Sequence, residues 1–249
     1  MNITPNSFSD GGELTSEAAF KKRLERFGEV EGLDLGAEST APMNSAISWE
    51  EEWERLRPYL NLALTLKPSI SIDSYHPETI EKVIGIWPKD RTLIWNDVSG
   101  KKDRFVEAYL KRSQSFHYVL CHNLAPSREL SGRHMDYIFT GNNEELLTHL
   151  TDFFSSHSHP QIIFDPTFGF SKTYEHNWFL LQNFSRLQGS LPNRSWLLGF
   201  SRKSFLRKKL GSSDNEELDL FHQKILEEIF PQLSGEVWIR THRPELIVG

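Results

Sequence analysis

Seven short apolar runs, each followed by an amphipathic or charged stretch, constrain this chain more than any other feature. They cover residues 32–35, 69–72, 92–95, 117–121, 161–164, 196–200 and 236–240. Their near-continuous apolar character is that of parallel strands covered on both faces. Between them, Phe20, Leu24 and Phe27 recur at helical spacing. Trp53, Leu56 and Leu60 do the same, as do Leu218, Phe221, Ile225 and Ile229. Asp214 stands where a short side-chain oxygen would cap the last of these helices. Alternation of this kind predicts an α/β fold, a (β/α)8 TIM barrel.

The barrel so predicted lacks most of its first strand and its final helix. The stretch Asn2-Ile3-Thr4-Pro5-Asn6-Ser7-Phe8-Ser9-Asp10-Gly11-Gly12 has the turn-forming composition of a loop that follows a strand. Only Met1 precedes it, and only nine residues follow the last run. A barrel short of one strand exposes two unpaired edges. The expectation is that the natural protein begins upstream of Met1, or that another segment or chain fills the gap. No repeat or linker divides the chain, so residues 1–249 are read as a single barrel domain.

Composition narrows the setting. With 38% hydrophobic and 25% charged residues, the chain reads as a soluble globular protein. No apolar run approaches the ~20 residues of a membrane span. The one cysteine, Cys121, rules out an internal disulfide and suits a reducing cytoplasm. A net charge of −6 argues against nucleic acid as a partner.

Each apolar run ends in polar residues, and in a barrel all such ends converge on the face where active sites form. For any one of them taken alone, a helix cap is the favoured reading. Asp73, Asn96, Asp165, Lys203 and Arg240 together would each need a partner at a partly desolvated mouth, where an unmet polar group costs about 1–3 kcal/mol. A ligand rich in donors and acceptors would supply those partners. Trp95, beside Asn96, is the tryptophan placed to touch it. His122 and Cys121 read as packed interior residues.

In sequence order, five motifs resemble dihydropteroate synthase. They are the opening loop, Asp34-Leu35-Gly36-Ala37-Glu38-Ser39-Thr40, Asp165 through Lys172, Ser201-Arg202-Lys203-Ser204 and Arg240-Thr241-His242. The resemblance implies a TIM barrel that joins 6-hydroxymethyl-7,8-dihydropterin pyrophosphate to p-aminobenzoate in folate synthesis. It implies a pterin pocket of Asp73, Asn96, Asp165, Lys203, Arg240 and Phe170, with Arg240 stacked on the ring. Asn2, Arg240 and His242 would hold the pyrophosphate, with Mg2+ as cofactor and Asn2 as its protein ligand. Pro5, Thr40, Phe170 and Ser204 would hold p-aminobenzoate. Asp10, Lys203 and Arg240 would be catalytic, Asp10 on a loop that closes over a cationic pterin intermediate. The expected partners are these small molecules, with a homodimer implied by the resemblance.

The chain departs from the family pattern at named positions. Ala41 stands in place of an arginine, Thr167 and Ser171 in place of glycines, Cys121 and Asn123 in place of methionines, and Arg243 in place of an acidic residue. Two other readings therefore stay open: an impaired or non-catalytic pterin-binding homologue, and a pterin-dependent methyltransferase.

Overall fold

A computed structural model describes residues 17–26, 30–38, 46–66, 69–157 and 159–247. Seven strands form one sheet in chain order: β1 Gly32–Gly36, β2 Ser69–Asp73, β3 Thr92–Asp97, β4 Phe116–Cys121, β5 Ile162–Asp165, β6 Ser195–Leu198 and β7 Val237–Ile239. Every neighbouring pair is parallel. The helices are α1 Glu17–Arg26, α2 Trp49–Leu66, α3 Pro77–Ile86, α4 Arg104–Leu110, α5 Asn143–Ser155, α6 Tyr174–Gln182, α7 Phe184–Ser190, α8 Ser204–Leu210 and α9 Asn215–Ile229. A strand-to-parallel-strand connection needs such a crossover, and it lays the helix back on the sheet.

Local chemistry sets the helix starts. Asp103 accepts from the Phe105 and Val106 amides ahead of α4. Asn142 and Glu145 form a reciprocal capping box on α5. Asp214 accepts from the Glu217 amide, as its position predicts, and α9 buries Leu218, Ile225 and Ile229. Phe20 and Leu24 of α1, and Leu56 and Leu60 of α2, are buried. Phe27 lies outside the described residues.

The sheet curls. Ile94, Val119, Cys121 and Ile163 pack inside the curl with Leu197 and Trp238. The larger cluster joins the other strand faces to the helices. A Cβ placed on Gly32 of β1 would lie 3.6 Å from the Trp238 ring of β7. First and last strands therefore face each other across the interior. Among the described residues no eighth strand pairs with the outer edge of β1 or β7. After β7 the chain makes one short 3-10 turn, Pro244–Leu246, where the barrel pattern would place a long helix.

One detail corrects the reading of continuous apolar strands. In β2, Ile70 and Ile72 are buried against helices, while Ser69, Ser71 and Asp73 alternate onto the interior face. β1 alternates in the same way, with Leu33 and Leu35 buried and Asp34 pointing inward. A parallel strand stays apolar on both faces only where both neighbours are apolar. Here the interior beside β1 and β2 is polar. Among the described residues no helix is long and apolar enough to cross a membrane.

Candidate active site

The inward alternation of the strands delivers polar groups to one mouth. Arg240, the residue after β7, reaches across the interior. Its Nε lies 2.8 Å from Asp34 Oδ2 and its Nη2 lies 2.5 Å from Asp73 Oδ2. Asp34 also accepts from Ser71 Oγ at 2.5 Å and from Asn96 Nδ2 at 3.3 Å. Gly36 keeps this corner open, since a Cβ there would sit 3.2 Å from the Asp73 Cβ. Burial raises the Asp73 carboxyl, Arg240 pulls it back, and Asp34 raises it again. Burial opposes the charge on Arg240, but Asp34 and Asp73 hold its guanidinium protonated well above the ordinary value.

Asp165 ends β5 under different conditions. Among the described residues no arginine forks onto it. Its Oδ1 accepts the Thr167 amide at 2.6 Å, and Cys121 Sγ lies 3.8 Å from its Oδ2. Burial raises its pKa to about 6 against the opposing pull of the Thr167 amide, Lys203, Arg240 and Lys172. The loop that follows is strained in two places. Thr167 has φ 55° and Ser171 has φ 51°, both in the left-handed region that favours glycine. These are the two positions where the resemblance led to an expectation of glycine. Each side chain ties the loop down. Thr167 Oγ1 donates to the Asp165 carbonyl at 2.9 Å and accepts the His122 amide at 2.9 Å. Ser171 Oγ accepts the Leu124 amide at 3.0 Å and donates to the His134 carbonyl at 3.2 Å. Strain of about 1–3 kcal/mol is thus offset by local hydrogen bonds of about 1 kcal/mol each.

Lys203 lies between these two groups. Its Nζ sits 4.8 Å from the Phe170 ring centroid. Burial lowers its pKa and Arg240 lowers it further, while Asp165 and Asp73 support the charge. Phe170 is buried, clusters with Tyr75 and Val98, and stacks on His134 with centroids 3.6 Å apart. Ser201 Oγ and His242 Nδ1 are 2.9 Å apart at the exposed rim. Arg202, at φ 57°, forks onto Asp219 of α9 at 2.9 and 2.7 Å. That clamp fixes the backbone just before Lys203.

The structure therefore brings Asp73, Asn96, Asp165, Phe170, Lys203 and Arg240 to one mouth, with His242 and the exposed Ser204 at its edge. Asn2, Pro5, Asp10, Thr40 and Ala41 lie outside the described residues. Two expectations need correction. The mouth polar groups do not depend on a ligand for partners, because Arg240 pairs with Asp73 and Asn96 bonds to Asp34. Trp95 does not face the ligand side. It alternates outward between Tyr109 and Tyr118 and donates Nε1–H to the Ser74 carbonyl at 2.7 Å. Asp34, quoted above only as the start of a motif, is the carboxylate whose pairing with Arg240 sequence reasoning did not assign. Its signal was a lone carboxylate between two leucines of a short strand.

Among the described residues no group of three or more His, Cys, Asp or Glu side chains gathers where it could hold a metal ion.

Comparison with known proteins agrees with this arrangement. A family model described as pterin binding enzyme matches residues 1–229. A dihydropteroate synthase of Neisseria meningitidis serogroup C is 30% identical over 222 residues, covering 86% of this chain and 76% of that protein. The chain spans about half the length of bifunctional folate synthesis relatives. One from Arabidopsis thaliana is 28% identical over 88% of this chain and 48% of its own length. Dihydropteroate synthase from Clostridium difficile, solved in the presence of pteroic acid, matches with TM-score 0.79 and 25% identity, covering 99% of this chain and 90% of that one. The Xanthomonas albilineans enzyme with 4-aminobenzoic acid matches with TM-score 0.77 and 27% identity, covering 99% and 87%. Inward-facing Asp, Asn, Lys and Arg at the ends of parallel strands, in a chain matched along most of its length, lead to one conclusion: the chain belongs to the dihydropteroate synthases of the pterin-binding enzyme family.

Proposed function

We propose that this chain condenses 6-hydroxymethyl-7,8-dihydropterin pyrophosphate with p-aminobenzoate, giving 7,8-dihydropteroate and pyrophosphate. The observation that carries this reading is the mixed donor and acceptor set at the mouth. Carboxylates only accept, an ammonium and a guanidinium only donate, and the Asn96 amide does both. A pterin edge presents that same mixture of N–H groups, ring nitrogen and carbonyl.

Asp165 accepts the N–H pair of the aminopyrimidine edge, and Asn96, oriented by Asp34, reads the adjacent ring atoms. Lys203 donates to the pterin carbonyl from its place over Phe170. Asp73 accepts from the remaining ring N–H. Arg240, held by two carboxylates, presents its plane to the ring and its open edge to the pyrophosphate, alongside His242 and Asn2. The bond from the methylene carbon to the pyrophosphate oxygen breaks first. The arylamine nitrogen then donates its lone pair to the cationic carbon and releases a proton. Carboxylates already fixed at the mouth stabilise that cation without reorganising. Closure of the opening loop, with Asp10, excludes water from it. Pro5, Thr40, Phe170 and Ser204 frame p-aminobenzoate. Mg2+ is the expected cofactor: Asn2 would hold it, and it would supply positive charge toward the pyrophosphate.

We read residues 1–249 as one pterin-binding domain acting in the cytoplasm, where the single thiol, Cys121, stays reduced. Its partners are small molecules, with a homodimer as the expected assembly and no nucleic acid. Incubation with both substrates tests the activity, followed by pyrophosphate release and by dihydropteroate formation. Equal amounts of the two products are expected. Pterin binding without either product would overturn the proposal in favour of a non-catalytic binder. Methyl transfer from a methylated pterin would favour the methyltransferase.

A further inference from the structure

Lys172 takes no part in the chemistry above, yet it is 2% exposed and lies beneath the mouth. Its Nζ is 2.9 Å from His122 Nδ1, 3.1 Å from the Phe170 carbonyl and 3.4 Å from the Thr167 carbonyl. His122 is fully buried, and its Nε2 lies 3.0 Å from His149 Nε2. His149 is on α5, part-buried against Phe139. The three side chains form one hydrogen-bonded line from beneath the pterin pocket toward the outer helix layer.

Two proton arrangements satisfy every contact in this line. In the first, the Lys172 ammonium donates to both carbonyls and to His122 Nδ1. His122 then carries its proton on Nε2 and donates it to His149 Nε2, and His149 carries its own on Nδ1. In the second, neutral Lys172 donates to the carbonyls and accepts from His122 Nδ1–H. His122 Nε2 then accepts from His149 Nε2–H. The two differ by one proton. Lys172 gives a proton to His122, His122 gives one to His149, and His149 releases one from Nδ1 to solvent.

We propose that Lys172, His122 and His149 form a proton wire that sets the charge beneath the pterin-binding Asp165, with His149 a positioning residue at its outer end. The claim rests on Asp165 binding the pterin. The charged and titratable neighbours agree with it. Asp165, Cys121 and Lys203 face Lys172, Lys172 and Asp152 face His149, and Lys203, Arg240 and Lys172 face Asp165. Burial lowers Lys172 to about 7, so both arrangements are accessible near neutrality. Burial and the neighbouring cation disfavour charge on both histidines, so the proton moves along this line by tautomer exchange.

The test combines the nitrogen NMR signals of His122 with the pH dependence of dihydropterin pyrophosphate binding. In the wild-type chain, His122 is expected to shift its proton from Nε2 to Nδ1 as pH rises through about 7, and pterin affinity to fall severalfold over the same range. Lys172→Met should abolish both transitions. His149→Leu should move the midpoint by about one pH unit. His149→Gln should restore it, because an amide can accept or donate at that position. A His122 tautomer that stays constant across the range, or a His149→Leu profile identical to wild type, would overturn the wire. If His149→Leu fails to fold, the wild-type titration and His149→Gln still decide. A normal tautomer switch in a chain that binds no pterin would sink the pterin reading and leave the wire intact.

Discussion

Two carboxylates at the same mouth, Asp73 and Asp165, are kept there by opposite means. Asp73 shares Arg240 with Asp34, so its corner is a closed set of ion pairs between strands distant in sequence. Among the described residues no arginine bonds to Asp165; its own loop holds it, the Thr167 amide donating to the carboxylate and the Thr167 hydroxyl to the Asp165 backbone carbonyl. The first arrangement is stable because opposite charges meet. The second retains a buried carboxyl at a cost, which shows in its pKa of about 6. The corner at Asp73 is closed by ion pairs, and the carboxyl of Asp165 is held by its own loop.

The largest break in this contrast comes from Arg240→Met. It leaves Asp34 and Asp73 facing each other without a cation, and an expected loss of about 2 kcal/mol follows, moderated by the partial exposure of Arg240. Turnover should fall by at least about 100-fold, since the pyrophosphate also loses its guanidinium. Urea unfolding at two pH values checks the cause, because protonating the stranded carboxyls in acid should narrow the gap.

Lys203→Ala should weaken dihydropterin pyrophosphate binding by about 10- to 100-fold, the range for a lost charged hydrogen bond. Stability should hold or rise, because burial already disfavours this ammonium. Calorimetry that returned wild-type affinity would remove Lys203 from the pocket.

Asp165→Asn sharpens the comparison most directly. The folded pKa of Asp165 is raised from 3.8 to about 6. Its contribution to stability is therefore present below pH 3.8 and lost as pH rises through about 6. The Asn variant should accordingly be more stable than wild type by about 2 kcal/mol near pH 8, with the gap closing in acid, while pterin affinity drops. Asp73→Asn should show no such gain, because Arg240 then loses a partner. Equal stability changes for the two variants would mean that the two corners do not differ.

The smallest effect is expected at Thr167→Gly. Relief of a φ of 55° gains about 1 kcal/mol, and the loss of two hydroxyl hydrogen bonds removes a similar amount. A net change within about 1 kcal/mol is expected from thermal unfolding. A loss far beyond that would show the hydroxyl to be the main anchor of the loop.

Strand positions were legible because a buried parallel strand leaves a short apolar run, and each of the seven lies within two residues of its predicted bounds. The convergence of Asp73, Asn96, Asp165, Lys203 and Arg240 was legible because polar residues at strand ends stand out against those runs. Asp34 was not, since its role depends on an arginine more than 200 positions away. The direction of Trp95 was hidden as well, because a side chain's face follows from strand register and adjacency to Asn96 suggests the opposite. The backbone of Thr167 and Ser171 could be inferred only through the glycines they replace. The Lys172–His122–His149 line joins three elements, and no local pattern announces it.

The clamp between Arg202 and Asp219 carries a genetic consequence. Asp219 is a buried residue of an outer helix, yet it holds Arg202, the residue just before Lys203. A screen for folate auxotrophs would return lesions at Asp219 alongside lesions at the mouth. A map of such alleles would trace a path from the pterin pocket into α9 that no inventory of ligand contacts contains.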